Sequence, residues 1–390
     1  MRIAFVTSYN SEEIGHWSGL GYYMAKCLEQ QGMELIRINC SVPFTPGQRI
    51  KRKLIWLCYR KIQQPERDHR FLQKMAEEVK RQLQGQDYDL VFAAGSLPVS
   101  YLESGKPVVF FTDATYEGLI SMYINRRKLC NQSLVQGNRA EANALQNASL
   151  VLYTSEWAIR QAVTMYGADA AKMRQLPFGP NLVNNIREQD LNELIARRTA
   201  SIKKNFLFIG VDWFRKGACI AIDTISKLNE MGIPSTITIV GCRLPKNKRL
   251  PSFVEYHPFI SKNDARGVQL LAEMYRKAHF FLLPTQADCT PVVFSEAASF
   301  GIPVITTNVG GCNSVVLHNE TGFCLNKNNF VAEATHVIAT LCYNENLYEL
   351  FCRRAFYHYK NELNWEAIGK KAAAYLQQVL HHHHQPALST

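Results

Sequence analysis

No window of the 390 residues holds the ~18 uncharged apolar side chains that a membrane-spanning helix needs, so the sequence predicts no transmembrane segment. Met1-Arg2 runs directly into Ile-Ala-Phe-Val-Thr-Ser-Tyr, which reads as the start of a strand and not as a signal peptide. The eleven cysteines contain no Cys-x-x-Cys pair and follow no regular spacing. That argues against a zinc site and a disulfide frame, and for reduced thiols in a cytoplasmic protein. Helix-turn-helix, zinc-finger and aromatic RNA-binding patterns are absent, so nucleic acid is not an expected partner. No metal-binding Asp-x-Asp motif is read, and the four histidines 381–384 before the polar end are assigned no metal.

An apolar content of 47% and this length suit two domains with real cores. A formal charge of +11 favours an anionic partner. Short apolar runs recur at 2–9, 34–39, 90–94, 107–112 and 150–154, then at 206–211, 236–240, 280–283 and 303–307. Helical patterns fall between them at 21–31, 71–83, 218–231, 265–277 and 291–300, and helices dominate after 320, at 331–342, 347–359 and 365–380. Buried strands alternating with helices predict an α/β protein with two parallel sheets, each covered on both faces. The run Pro-Phe-Gly-Pro-Asn-Leu-Val-Asn-Asn, 177–185, has the composition of a hinge. The expected division is 1–180, 186–363 and a C-terminal piece 364–390.

The most informative stretch is 283–311. A strand ends in a polar loop holding Asp288, a helix opens at Thr290-Pro291 and carries Glu296, and Gly301 and Pro303 stop it. Thr suits an N-cap and Pro the first helical position, which leaves the amides of Val292 and Val293 facing outward at the positive end of the helix dipole. That is a seat for phosphate.

This stretch resembles the nucleotide-binding half of retaining glycosyltransferases of family four (glycosyl transferases group 1), which have the GT-B fold. The resemblance rests on Asp288 and Glu296 with seven residues between them, followed by Ala297, Gly301, Pro303 and Val304. It implies two Rossmann-like doubly wound domains facing across a cleft, with the last helix, near Trp365, crossing back to the first domain. It also implies a nucleoside-diphosphate-sugar donor and a carbohydrate or lipid-linked acceptor, with neither cofactor nor metal. Glu296 would hold the ribose hydroxyls and Asp288 the donor sugar, while Lys216, Thr290 and the amides of Val292 and Val293 would hold the diphosphate.

Four further segments join this reading. In Phe-Ile-Gly-Val-Asp-Trp-Phe-Arg-Lys-Gly, 208–217, Lys216 precedes a helix-opening glycine, where an ammonium can offset charge growing on a leaving diphosphate. The family usually has Arg after the strand-end glycine; Val211 stands there, and Arg215 either supplies that charge or covers surface. In 15–23, Gly19 and Gly21 let backbone approach a ligand, while His16 and Trp17 are candidates for sugar contact or for simple packing. Asp113 follows the apolar strand 107–112, where it would hold a sugar hydroxyl or polarise the acceptor, or else cap the next helix. In 153–181, the Ser-Glu-Trp helix and Pro-Phe-Gly hinge resemble one branch of the family and carry lineage, not chemistry.

Basic residues flank Leu-Ile-Trp-Leu in 48–61. A helix there either lies on an anionic membrane, at the inner face, or packs its apolar stripe on its own domain. Loops 114–147 and 242–263 are expected to carry specificity. The predicted function is sugar transfer with retention of anomeric configuration. The alternatives are another nucleotide-sugar enzyme such as an epimerase, and a non-catalytic binding protein for which Val211, Asp288 and Pro291 are the reasons.

Overall fold

The computed structural model describes residues 1–182, 184 and 186–384. Val183 and Asn185 of the expected hinge and residues 385–390 of the polar end lie outside the described residues. The chain forms two compact units, Met1–Pro177 together with the residues from Trp365, and Phe178–Asn364.

The first unit contains β1 (Arg2–Thr7), α1 (Leu20–Glu29), β2 (Glu34–Asn39), α2 (Pro46–Tyr59), α3 (His69–Leu83), β3 (Leu90–Ala94) and β4 (Val108–Thr112). After these come α4 (Tyr116–Tyr123), α5 (Asn131–Asn147), β5 (Leu150–Tyr153), α6 (Glu156–Tyr166) and β6 (Met173–Gln175). The strands pair in parallel in the order β2-β1-β3-β4-β5-β6. Every residue of β3, β4 and β5 is buried, as unbroken apolar strands in a doubly covered sheet should be. Asp68 caps α3, whose Phe71, Leu72, Met75, Ala76, Val79 and Leu83 form its single buried face.

The second unit contains α7 (Glu188–Thr199), β7 (Lys204–Ile209), α8 (Ala218–Glu230), β8 (Ser235–Val240), β9 (Val254–His257), α9 (Ala265–Lys277) and β10 (Phe280–Leu283). It continues with α10 (Val292–Ser299), β11 (Val304–Thr307), β12 (Gly322–Leu325), α11 (Phe330–Tyr343) and α12 (Glu345–His358). Its sheet is again parallel, in the order β12-β11-β10-β7-β8-β9. The chain then returns to the first unit through α13 (Trp365–His384). There the Trp365 ring stacks on Tyr23 of α1 at 5.8 Å, and Gly369 packs so closely that a Cβ would lie 2.8 Å from the Cys27 carbonyl oxygen.

The predicted α/β class with two parallel sheets holds, with four corrections. The sequence reading omits β6, β9 and β12, which are edge strands of three or four residues with polar or glycine positions. Segment 114–147 is not a loop: α4 and α5 occupy most of it. The buried face of α5 is built largely from Ser133, Gly137, Ala140 and Ala144, so apolar periodicity is nearly invisible there. Gly137 is needed because a Cβ would sit 2.1 Å from the Tyr116 ring. Likewise β9 interrupts the segment 242–263.

Finally, Asp87-Tyr88-Asp89 does have Asp-x-Asp spacing. Asp89 accepts the Arg2 amide at 2.8 Å and Asp87 pairs with the Arg2 guanidinium at 3.2 Å, at the entrance to β3 and not at its carboxyl end.

Candidate active site

The strand order of the second sheet reverses between β7 and β10, so the loops leaving their carboxyl ends run to opposite sides and open a crevice between them. Lys216 lies in the loop after β7 and Asp288 in the loop after β10. The Lys216 ammonium pairs with Asp288 Oδ2, and both residues are buried. Thr285 Oγ1 lies 3.5 Å from the same carboxylate oxygen.

Local chemistry explains why the loops meet here. Asp212 turns the first loop back on itself, its carboxylate accepting the amides of Phe214 and Arg215 at 3.1 and 2.8 Å. The Gln286 amide donates to the Arg215 carbonyl at 2.6 Å, stitching the second loop to the first. Gly217, in the left-handed region at φ +78°, is the N-cap of α8, and a Cβ on it would lie 2.1 Å from the Pro284 carbonyl oxygen. Only glycine allows both the turn and the approach.

Arg215 does more than cover surface. Its guanidinium donates to the Ala287 carbonyl at 3.0 Å and stands 3.8 Å from Asp288 Oδ2. Val211, in contrast, is exposed.

The start of α10 differs from the sequence expectation. The helix begins at Val292 with Pro291 as its N-cap, and the Thr290 hydroxyl donates to the Cys289 carbonyl at 2.7 Å instead of capping the helix. Pro291 takes the N-cap because its backbone is extended, with ψ at 113°, and so lies outside the helix. Val292 and Val293 are therefore the first two helical residues, whose amides have no acceptor one turn back inside α10.

Glu296 is completely buried one turn into α10, and its oxygens are engaged. Oε1 pairs with the Lys262 ammonium and accepts the Asn181 amide at 3.2 Å, while Oε2 accepts the Tyr275 hydroxyl at 2.9 Å. Burial, followed by the adjoining carboxylate, pushes the Tyr275 phenol well above its ordinary value and keeps it a donor. A hydroxyl group reaching Oε1 would have to displace Lys262, whose side chain is 25% exposed. Arg215, Lys216 and Lys262 thus face Asp288 and Glu296: three cations against two carboxylates.

Lys262, Tyr275 and Asn181 are absent from the sequence reading. Asn181 lies in the 177–185 run and Lys262 in the 242–263 segment, both singled out above for other reasons, and Tyr275 lies on the face of α9, with nothing in the sequence to pair any of them with Glu296. Cys312, fully buried, is held as a thiol by burial and by the nearby Asp288 charge, which removes it as a nucleophile.

The remaining candidates lie in the first unit. His16 stacks on Tyr9 with centroids 5.1 Å apart and reaches Glu13 at 3.2 Å. Trp17, Ser18 and Gly19 all have positive φ, at 44°, 54° and 83°, a costly run for two residues bearing side chains. Gly19 is the N-cap of α1. The space beside Gly21 is taken by the end of the Tyr9 side chain, whose hydroxyl would lie 2.5 Å from a Cβ, so packing within this unit already favours glycine there. Asp113 sits just past β4, half-buried, and the cap of α4 is Thr115, whose side chain accepts the Gly118 amide at 3.1 Å.

Residues 203–344 match the family model described as glycosyl transferases group 1. Over 254 residues the chain is 31% identical to the capsular polysaccharide biosynthesis glycosyltransferase CapM of Staphylococcus aureus, covering 61% of this chain and 65% of that protein. It is 25% identical over 178 residues to glycogen synthase of Mycobacterium tuberculosis, spanning 43% of this chain and 42% of the synthase.

Among solved structures, sucrose-phosphate synthase of Thermosynechococcus elongatus superimposes with a TM-score of 0.68 at 16% identity, covering 98% of this chain and all of the other (100%). Anabaena HepE, solved with UDP-glucose, gives 0.60 at 17% identity over 97% of this chain and 100% of its own. At such identities the likeness establishes the fold, which is GT-B.

Proposed function

From the match of residues 203–344 to the glycosyl transferases group 1 and the GT-B fold, we propose that the chain moves a sugar from a nucleoside-diphosphate sugar to an acceptor hydroxyl with retention of configuration. The observation that carries the reading is the buried Lys216–Asp288 pair where the loops after β7 and β10 meet, next to the start of α10. A diphosphate entering this crevice takes Lys216 as its counter-cation, with Arg215 beside it and the first-turn amides of α10 behind.

As the bond from sugar to diphosphate breaks, negative charge grows on the leaving group and an oxocarbenium-like sugar remains. The Lys216 ammonium stabilises the first, and the Asp288 carboxylate it releases positions the second. Glu296 takes the ribose hydroxyls once Lys262 moves aside. Asp113, His16 and Trp17 are assigned to the sugar or acceptor, and Gly19 and Gly21 to the loop that admits it. The scheme uses no metal, and activity that survives EDTA is its expected consequence.

The acceptor is a carbohydrate, free or lipid-linked, and α2 is assigned to an anionic membrane face. The deciding experiment incubates the protein with UDP-glucose and related donors and follows nucleotide release and the anomeric signal of the product by NMR. Retained anomeric configuration supports the proposal. Nucleotide binding without transfer or slow donor hydrolysis would favour a non-catalytic binding protein, and a donor isomerised without acceptor would indicate an epimerase.

A further inference from the structure

A second cavity, of about 550 Å³, lies within the first unit beneath α2, bounded by that helix and the starts of α3 and α5. Its size suits a small ligand. The walls are fastened in place. Ile62 exchanges backbone hydrogen bonds with Lys128 and Cys130 at 2.6 and 3.0 Å, and the Gln64 amide donates to Ser133 Oγ at 2.9 Å. Across the mouth, Lys51 Nζ of α2 donates to Gln132 Oε1 of α5 at 2.9 Å.

Two features say what the cavity would hold. Its cationic lining is Lys51, Arg70 and Lys74, against Asp68 alone, and Asp68 already spends one oxygen on the Arg70 amide at 3.0 Å as the cap of α3. Deeper, Gln63 is only 8% exposed, and its Oε1 accepts no hydrogen bond among the described residues. Nδ1 of His69, another lining residue, likewise has no hydrogen-bond partner among the described residues. A buried amide oxygen left without a donor is costly, and a ligand hydroxyl would satisfy it. The cations call for a negative charge on the same molecule, at the mouth.

We propose that this cavity binds an anionic, hydroxyl-bearing ligand of the acidic-saccharide class, such as a sugar phosphate or uronic acid, with its hydroxyls on Gln63 and His69 and its charge on Lys51, Arg70 and Lys74. The site is separate from the donor crevice and does not depend on the transfer reading.

Calorimetric titration of the full chain with glucose 6-phosphate, glucuronate, inorganic phosphate and glucose tests it. The two acidic sugars bind at least roughly tenfold tighter than phosphate or glucose, because each of the latter supplies half of the interactions. The double variant Lys51→Ala, Lys74→Ala, which alters only exposed side chains, weakens acidic-sugar binding by roughly tenfold or more, as does Gln63→Leu. Lys216→Ala, titrated well below its own melting temperature so that the chain is folded, leaves it unchanged. A parallel arm with phosphatidylinositol vesicles separates a lipid headgroup from a free sugar acid, and binding in either arm sustains the proposal. Absence of binding in both arms, binding indifferent to the Lys51 and Lys74 substitutions, or binding abolished in folded Lys216→Ala would overturn it.

Discussion

Lys216 and Asp288 are a buried ion pair, with the Arg215 guanidinium 3.8 Å from the same carboxylate oxygen. Removing Asp288 leaves the buried ammonium unpaired, at a cost of about 3–5 kcal/mol, while removing Lys216 costs less because Arg215 remains 3.8 Å from the carboxylate. Lys216→Ala is therefore expected to lower the melting temperature as well as turnover, the latter by roughly 10²–10³-fold. The double variant Lys216→Ala, Asp288→Asn separates the two effects. It should recover most of the stability in thermal melts and none of the rate; recovered transfer would show that the ammonium is not used in the reaction. Glu296→Gln keeps the shape but weakens the acceptor of Lys262 and Tyr275. It is expected to raise KM for the donor more than it lowers kcat, and the ratio of the two changes is the measurement.

Among the elements, α2 has a feature its sequence pattern could not decide. None of its residues is buried, and Ile50, Leu54 and Leu57 are 60%, 53% and 49% exposed, so the apolar stripe faces solvent instead of packing on its own unit. Residues spaced by four and then three lie on one helix face, here opposite the half-buried Gln48 and Ile55. Changing Ile50, Leu54 and Leu57 together to Ser should leave thermal stability within about 0.5 kcal/mol, since no buried contact is lost. Co-sedimentation with anionic vesicles should disappear in the same variant; unchanged pelleting would rule out membrane contact by this face.

A second element-scale effect centres on His279, which precedes β10 and joins it to α7. Its Nδ1 accepts the Asn205 amide at 3.0 Å and its Nε2 donates to the Arg198 carbonyl at 3.0 Å. Burial first, then the charges of Lys204 and Arg198, hold it down to about 4 from 6.5. The unfolded chain therefore binds the proton first. Stability from this residue is complete above pH 6.5 and drains away as pH falls toward 4, reaching about 3 kcal/mol at the limit. Melting curves should show an acid slope in this window that His279→Asn lacks.

For the molecule as a whole, the charge of +11 is a long-range attraction for anionic partners. At ~0.1 M salt, charges more than about 10 Å apart are screened. Vesicle binding through α2 should therefore fall steeply with added salt, while nucleotide binding in a crevice of buried charges should change little. Titrating both against sodium chloride checks this, and equal salt sensitivity would place the nucleotide on the outer surface.

Period and punctuation alone were enough to determine the two parallel sheets, because strands buried on both faces must be written as unbroken apolar runs. The order of acids, glycines and prolines in 283–311 was likewise legible, since strand, loop and helix follow one another without interruption. The small-residue face of α5 and the short edge strands stayed hidden, since packing of glycine and alanine leaves no hydrophobic signal. Only the tertiary structure could decide that Lys262, Tyr275 and Asn181 enclose Glu296, that Pro291 and not Thr290 is the N-cap of α10, and that the stripe of α2 faces outward. Those outcomes depend on groups brought together from distant parts of the chain, and a linear pattern carries no record of which face meets which.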